Sequence, residues 1–284
     1  MASGEEIGLP AIHLLDEVVA FEADLTPMKR KLRAQETVIV IAPPKLRIQA
    51  FGKVQVLLAD KPVTGADWQT QVTQDLLFLL LSNRHGWSKE RIGEFLWPES
   101  SQSQLSQRFK NTIYRLRRAL NQEVIVYFDG MYSFNRKIDY EYDVEQFENF
   151  LIQARTAVEV EDQIRAYLAA VQLYRGDYLP GMDGEWVIPE RERLLQAFLS
   201  SGLRLAELYT QTKQYPSSLE LCHRLITEAP WLEEAYRMAM NLNAYNGNRA
   251  AIAQLYKSLQ HGLLEYSHAF PSPQTEGLYQ SLMA

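Results

Sequence analysis

The stretch of this 284-residue sequence that is best equipped for chemistry runs from Ser103 to Leu120. It contains five Lys and Arg residues and no Asp or Glu. At about 100° per residue, its large apolar residues fall on one narrow stripe of a helix. The stripe consists of Leu105, Phe109, Ile113, Leu116 and Leu120. We therefore expect a helix that packs on its own domain along this stripe and leaves its opposite side in solvent.

The opposite side carries side chains suited to nucleic acid, because Asn and Gln can pair with adenine and Arg with guanine in the major groove. This outer face consists of Gln104, Gln107, Asn111, Tyr114 and Arg118, with Arg115 just beside it. Arg108 lies on one flank, and Lys110 and Arg117 lie on the other, where cations can neutralise phosphates. The pattern favours recognition of double-stranded DNA. The alternative interpretation is an ordinary solvated basic face.

A β-hairpin is predicted directly after this helix. The turn Asp129-Gly130 separates two short strands, residues 124–128 and 131–135. Such a hairpin can lie as a wing over the adjacent DNA backbone or minor groove. The residues that could make this contact are Tyr132, Arg136 and Lys137. In an equally supported interpretation, Arg136 and Lys137 simply begin the linker to the next domain.

The preceding residues predict the elements that must position the basic helix. Two short strands, residues 46–51 and 54–58, surround Gly52. Two helices follow, Thr73–Leu81 and Ser88–Leu96, the second with Ser88 as its N-cap. Strands, three helices and a final hairpin in this order predict a winged helix-turn-helix domain over residues 45–140.

The second half of the chain has a helical pattern with a weak internal repeat. Four positions match their counterparts 34 residues further on: Leu208 with Leu242, Glu220 with Gln254, Leu221 with Leu255, and Leu225 with Leu259. This period is typical of tetratricopeptide units, each a pair of antiparallel helices, and Pro230 stands where such a unit would break. Residues 141–284 therefore predict a tetratricopeptide-like all-helical domain, and the whole fold is mainly α with a small β component.

Charge is divided unevenly between these two domains. Residues 45–140 carry 14 Lys and Arg against 9 Asp and Glu, whereas residues 141–284 carry 11 against 19. The net charge of −6 therefore conceals a basic middle domain joined to an acidic one. Residues 1–44 are interpreted as a short helical segment or linker.

Several classes of protein are disfavoured. A single cysteine, Cys222, excludes an internal disulfide framework and suits a reducing compartment. The longest apolar run, Leu76–Leu81, is too short to span a membrane, and Glu5 and Glu6 stand where a secretory signal would carry Lys or Arg. These features predict a cytoplasmic protein with no membrane contact.

Catalytic and metal-binding motifs are poorly represented. The sequence has no phosphate-binding glycine loop, no G-x-S-x-G and no C-x-x-C. His261, Glu265 and His268 share a helix face, but no fourth zinc ligand lies nearby in the sequence. We therefore predict neither an enzyme nor a cofactor nor a metal site.

The sequence resembles SARP-type regulators (Streptomyces antibiotic regulatory proteins). The segments that resemble their DNA-binding half are Leu46–Gly52, Glu94–Pro98 and Arg115–Leu120. The segments that resemble the bacterial transcriptional activator domain are Leu173–Gly181, Glu185–Val187, Glu190–Leu194, Pro271–Thr275 and Leu278-Tyr279. The resemblance implies an OmpR-like winged helix-turn-helix with the Ser103 helix as recognition helix. It also implies binding to promoter repeats, usually as a homodimer, and recruitment of RNA polymerase.

Two departures from the family pattern keep another function open. Residues 68–75, just before the first long helix, contain no Lys or Arg and are bordered by Asp67 and Asp75, where family members carry cations. The hairpin has Asp129-Gly130-Met131-Tyr132 where the family tends to have Gly-Gly-Tyr. The alternative is therefore a tetratricopeptide-like scaffold that binds protein or a ligand and has weak or lost DNA binding.

Overall fold

The computed structural model describes residues 46–284, whose contacts divide them into two units. The described part of the N-terminal unit comprises residues 46–48 and Gln55–Glu141. The C-terminal unit comprises Gln49–Val54 and Tyr142–Ala284. The segment predicted over residues 1–44 lies outside the described residues.

The described strands form two small sheets. The first has the order β3-β2-β1-β7, with β1 at Leu46–Gln49, β2 at Gln55–Leu58, β3 at Lys61–Pro62 and β7 at Tyr140–Tyr142. The second has the order β4-β6-β5, with β4 at Trp87–Ser88, β5 at Ile125–Phe128 and β6 at Met131–Phe134. Four helices complete the described part of the N-terminal unit: α1 at Gly65–Trp68, α2 at Gln71–Ser82, α3 at Lys89–Leu96 and α4 at Gln102–Leu120.

The helix-turn-helix consists of α3 and α4, joined by residues 97–101. Ser88 is the N-cap of α3, since its hydroxyl accepts a hydrogen bond from the backbone N–H of Arg91 at 3.1 Å, as predicted. A Cβ atom at Gly93 would lie 2.6 Å from Cδ1 of Leu105. The two helices can approach this closely only because residue 93 has no side chain.

The β5–β6 hairpin is the predicted wing. Tyr127 pairs with Tyr132 across it, and the turn residues Asp129 and Gly130 have φ angles of 47° and 78°, the left-handed values that a two-residue turn of this kind requires. Strand β4 pairs with β6 on its other side. At Gly86, just before β4, a Cβ atom would lie 2.7 Å from the backbone oxygen of Tyr132. The mainly helical fold with a winged helix-turn-helix is thus confirmed.

The C-terminal unit has seven helices among the described residues, arranged as successive pairs. They are α5 at Asp143–Thr156, α6 at Val160–Leu173, α7 at Val187–Gln211, α8 at Tyr215–Glu228, α9 at Glu233–Tyr245, α10 at Arg249–Ser267 and α11 at Pro273–Met283. Helices α7 and α9 end 34 residues apart, at Gln211 and Tyr245, and α8 and α10 begin 34 residues apart, at Tyr215 and Arg249. Pro230 lies between α8 and α9. The tetratricopeptide-like fold is therefore confirmed.

Gln49–Val54 belongs to the C-terminal unit through its backbone. The N–H groups of Ala50 and Phe51 donate to the Asp143 carboxylate at 2.9 and 3.1 Å. The N–H of Gly52 donates to the carbonyl of Asp177 at 3.0 Å. The prediction of a first strand that reaches Phe51 is wrong, because after Gln49 these backbone groups bond to a side chain and a loop rather than to a strand neighbour.

Stability should depend on pH through Asp143. Burial raises the pKa of its carboxyl group to about 6, although the bonds from Phe51 and Ala50 oppose this. The folded chain then holds a proton that the unfolded chain has released, so its free energy of unfolding should fall as the pH rises from about 4 to about 6. The fall should be at most about 3 kcal/mol.

Urea unfolding at several pH values, compared between the unaltered chain and Asp143→Asn, measures this contribution. In the Asp143→Asn chain, the free energy of unfolding should no longer fall between pH 4 and pH 6. The exposed Asp162 provides the matched control, Asp162→Asn, which should keep it. An equal fall in all three proteins would contradict the assignment to Asp143.

Candidate nucleic-acid interface

The rotation of α4 is set by its buried side. Phe109, Leu116 and Leu120 are at most 3% exposed, and Leu105 and Ile113 are half-buried, as the predicted stripe requires. Thr112 is also buried, with its hydroxyl donating to the carbonyl of Arg108 at 2.9 Å. The polar side chains of α4 therefore face away from the core of the unit.

The outer face of α4 is in solvent. All its predicted members are exposed: Gln104, Gln107, Asn111, Tyr114 and Arg118. Gln107 donates through Nε2 to Oδ1 of Asn111 at 3.1 Å. This bond leaves the Gln107 carbonyl oxygen as an acceptor and the Asn111 amide N–H groups as donors, which together are the groups that an adenine edge needs.

Gln104 also serves to start the helix. Its Oε1 accepts from the backbone N–H of Ser101 at 3.1 Å, and the Ser101 hydroxyl accepts from the N–H of Gln104 at 3.5 Å. This reciprocal pair is a capping box, which satisfies two backbone donors at the helix start. Of the Gln104 amide, the Nε2 donors remain available to a ligand.

The five cations of α4 differ in their partners. Arg117 pairs with Glu123, with 2.6 Å between Nε and Oε1. Arg115 is half-buried and donates from Nε to Oε1 of Gln69 at 3.2 Å. Within residues 46–284 the other three are exposed and have no ion-pair partner: Arg108, Lys110 and Arg118.

The predicted wing residues have different surroundings. The Tyr132 ring packs against Phe109 at 4.7 Å and against Tyr127 at 4.6 Å, measured between ring centroids. Arg136 donates from Nη2 to the carbonyl of Leu81 at 2.9 Å, so its guanidinium group holds the end of α2. Lys137 is exposed. The structure therefore brings Tyr132 to α4 but directs Arg136 to another helix.

A cavity of about 580 Å³ lies between α4 and the wing. Its lining includes three cations and three tyrosines: Lys89, Lys110, Arg117, Tyr114, Tyr127 and Tyr132. Neither Lys89 nor Tyr127 was among the site residues predicted from the sequence. Tyr127 could have been predicted, because the Asp129-Gly130 turn fixes the hairpin register and this register places Tyr127 opposite Tyr132. Lys89 reaches Ser106 of α4, with 2.9 Å from Nζ to Oγ, through tertiary packing that has no sequence signal.

The C-terminal unit contains a groove on α7 and α9. Two adjoining cavities of about 400 and 420 Å³ share Glu207, Met238 and Asn241 in their linings. Leu278 of α11 borders one end, and Tyr245 borders the other. The groove combines apolar side chains with exposed amides and with charged side chains of both signs, a lining that suits an extended peptide segment.

Residues 46–284 lack two other functional features, a metal-binding cluster and a membrane-spanning helix. No group of three or more His, Cys, Asp or Glu residues in this range is arranged to hold a metal ion. His261 and Glu265, which share the predicted face, lie 3.4 Å apart as a pair. In the same range, no helix is both long and apolar enough to cross a membrane.

Comparisons with known proteins give one family and one fold. The profile of the family described as the bacterial transcriptional activator domain matches residues 142–283, half of the chain. Mycobacterium tuberculosis EmbR, determined in complex with a low-affinity phosphopeptide, is similar in structure, with 17% identity and a TM-score of 0.65. The similarity covers 84% of this chain and 65% of the EmbR chain, and at this identity it shows a shared fold.

A second solved structure is less similar. It is the TPR2B domain of yeast Sti1 in a complex with pHsp70, with 12% identity and a TM-score of 0.33 over 49% of this chain and 96% of that one. This similarity is too low to establish a shared fold. No curated protein matches the chain.

Removal of the Ser101 cap should destabilise the N-terminal unit. Ser101→Ala leaves the N–H of Gln104 without its acceptor, so the free energy of unfolding should fall by about 1 kcal/mol. Urea unfolding measures the change. Ser103→Ala, in the first turn of the same helix and exposed, removes only a hydroxyl contact with Ser101 at 3.3 Å and should stay within about 0.5 kcal/mol of the unaltered chain. Equal effects of the two substitutions would show that Ser101 does not act as a cap.

Proposed function

The chain belongs to the bacterial transcriptional activator domain family, and from this premise we propose that it regulates transcription by sequence-specific binding of double-stranded DNA through α4. The family match also confirms the resemblance to SARP-type regulators, whose second domain it covers. In this proposal, residues 45–140 bind DNA and residues 141–284 form the activator domain. A regulator of this kind works in the cytoplasm, where the bacterial chromosome lies.

The observation that carries the proposal is the exposed polar face of α4, whose orientation the buried stripe fixes. Gln107 and Asn111 present one acceptor and two donors in adjacent turns, and Arg118 presents a guanidinium group that has no ion-pair partner among residues 46–284. These three side chains would contact base edges. Arg108 and Lys110 would contact phosphates on either flank.

The remaining predicted residues have supporting roles in the proposal. Gln104 would donate to the DNA from Nε2 while it caps the helix. Tyr114 and Arg115 would border the contacted bases, and Arg117 and Lys137 would add positive charge. Tyr132 and Arg136 would position the wing and the end of α2.

Two further parts of the proposal rest on the family resemblance. The chain would bind repeated sites near promoters as a homodimer or as side-by-side pairs. Its activator domain would recruit RNA polymerase. The groove of the C-terminal unit supports this second part, since it is a surface that a segment of a protein partner can enter.

Fluorescence anisotropy with the DNA upstream of the gene, compared with a scrambled duplex across salt concentrations, tests DNA binding. The unaltered chain should prefer the upstream DNA, and binding should weaken steeply with salt. Arg118→Ala should weaken specific binding by about 10- to 100-fold, because each bidentate contact provides about 1–3 kcal/mol of discrimination. Arg165→Ala, which removes an exposed arginine of the C-terminal unit, should leave binding unchanged. Equal binding to both duplexes would contradict sequence-specific recognition.

A second candidate function is a protein-binding scaffold, favoured by the groove that contains Met238 and Asn241. Met238→Lys should remove apolar contact from the groove and abolish activation in an in vitro transcription assay while DNA affinity stays unchanged. Val158→Lys introduces the same charge at a fully exposed site outside the groove and should have no effect. Normal activation by Met238→Lys would exclude the groove as the contact surface.

A further inference from the structure

The cavity between α4 and the wing has an unusual combination of charge and aromatic surface. It is lined by Lys110 and Arg117 of α4 and by Lys89, the first residue of α3. Tyr127 and Tyr132, on the strands of the wing, also line it. Among the described residues, none that lines it is acidic.

This lining suits a phosphodiester. Three cations around one cavity favour an anionic ligand, because Glu123 compensates the charge of only one of them, Arg117. Tyrosine hydroxyls can donate to phosphate oxygens, and tyrosine rings provide flat apolar surface for a sugar or a base. Lys89 is held at the cavity by its bond to Ser106, so part of the cost of ordering its side chain is already met before a ligand binds.

The occupant is identified by continuity with the outer face of α4. Tyr114 is a member of that face, is 65% exposed, and also lines the cavity. A nucleic-acid strand that lies along the outer face would therefore continue over Tyr114 into the cavity.

We propose that the cavity binds one phosphodiester of the DNA strand that passes from α4 to the wing, with Lys89, Lys110 and Arg117 as its cationic ligands. This inference rests on the proposed function and adds to it a defined backbone site and a residue, Lys89, outside the recognition helix. It also assigns a role to Glu123, which lies directly after α4 and pairs with Arg117.

Glu123 competes with DNA for Arg117. The two side chains are 63% and 49% exposed, and an ion pair with this exposure contributes little stability, so a phosphate that meets three cations can replace the carboxylate. After the exchange, the Glu123 charge stays close to the phosphate and repels it. Glu123 therefore weakens DNA binding in the unaltered chain.

The test measures DNA affinity and its salt dependence for the full chain with Lys89→Gln and with Glu123→Gln. Lys89→Gln should lower affinity several-fold at low salt and reduce the slope of log K against log salt concentration by about 0.9, the value for one lost phosphate contact. Glu123→Gln should raise affinity several-fold. The gain should disappear when Arg117→Gln is combined with it, because the two residues act through one contact.

Matched controls use the same substitutions at exposed sites outside the cavity. Lys61→Gln in β3 and Glu94→Gln in α3 should each change affinity by less than half as much as their counterparts. Circular dichroism establishes that each variant is folded. If Lys89→Gln and Glu123→Gln behave like these controls while Arg118→Ala weakens specific binding by about 10- to 100-fold, the cavity assignment is wrong and the proposed function stands. Absence of DNA binding by the unaltered chain overturns both.

A free nucleotide carries the base, the sugar and a phosphate of one unit of a DNA strand, with the phosphate as a monoester instead of a diester, and a separate titration distinguishes the two. Addition of dAMP to the chain, followed by tyrosine fluorescence, should show no saturation below millimolar concentration, because a single nucleotide lacks the contacts along α4. Saturation in the micromolar range that Lys89→Gln removes would identify the cavity as a nucleotide site and overturn the assignment to DNA.

Discussion

The burial of one stripe of α4 is the constraint on which the N-terminal unit depends. Phe109, Leu116 and Leu120 are withdrawn from water almost completely, and burial of each such side chain contributes about 1.5–3 kcal/mol. An exposed ion pair such as Arg117–Glu123 contributes at most about 1 kcal/mol. The apolar stripe therefore determines the rotation of the helix, and the polar residues take the orientation that is left to them. The direction of the outer face, on which the proposed function depends, is therefore set by the buried stripe.

The same reasoning explains which elements could be predicted from the sequence. Helix α4 and the 34-residue repeat were predictable because burial of one face imposes a period on the residues themselves. Helix α1 and strand β4 were not, because four and two residues are too few to show a period. The backbone of Ala50 and Phe51 binds Asp143, more than ninety residues away, and no local pattern in the sequence indicates such a partner.

The candidate site likewise contains some residues that could be predicted from the sequence and others that could not. The outer face of α4 could be predicted from helical geometry alone, and all its predicted members are exposed in the structure. Lys89 required the packing of α3 on α4, a tertiary relation that depends on Gly93. Gln104 is a different case: Ser101 and Gln104 have the spacing of a capping box, so a local signal was present, although the helix was expected to begin at Ser103, one residue later than it does. Its role in the cap limits what it can offer to DNA.

Hydrogen bonds already present on this surface affect specificity more than affinity. Gln107 and Asn111 bond to each other, and Arg115 bonds to Gln69, so contact with a base exchanges one partner for another. When the base is the wrong one, these hydrogen bonds can re-form within the protein. The free-energy penalty for the mismatch is then smaller than it would be for an amide that has no partner at all. The exposed cations Arg108 and Lys110 have no such internal alternative among the described residues, and their attraction to phosphate does not depend on sequence. A chain with this surface would bind any duplex through its flanks and discriminate weakly per contact, so two copies on adjacent repeats would multiply a modest preference into a selective one.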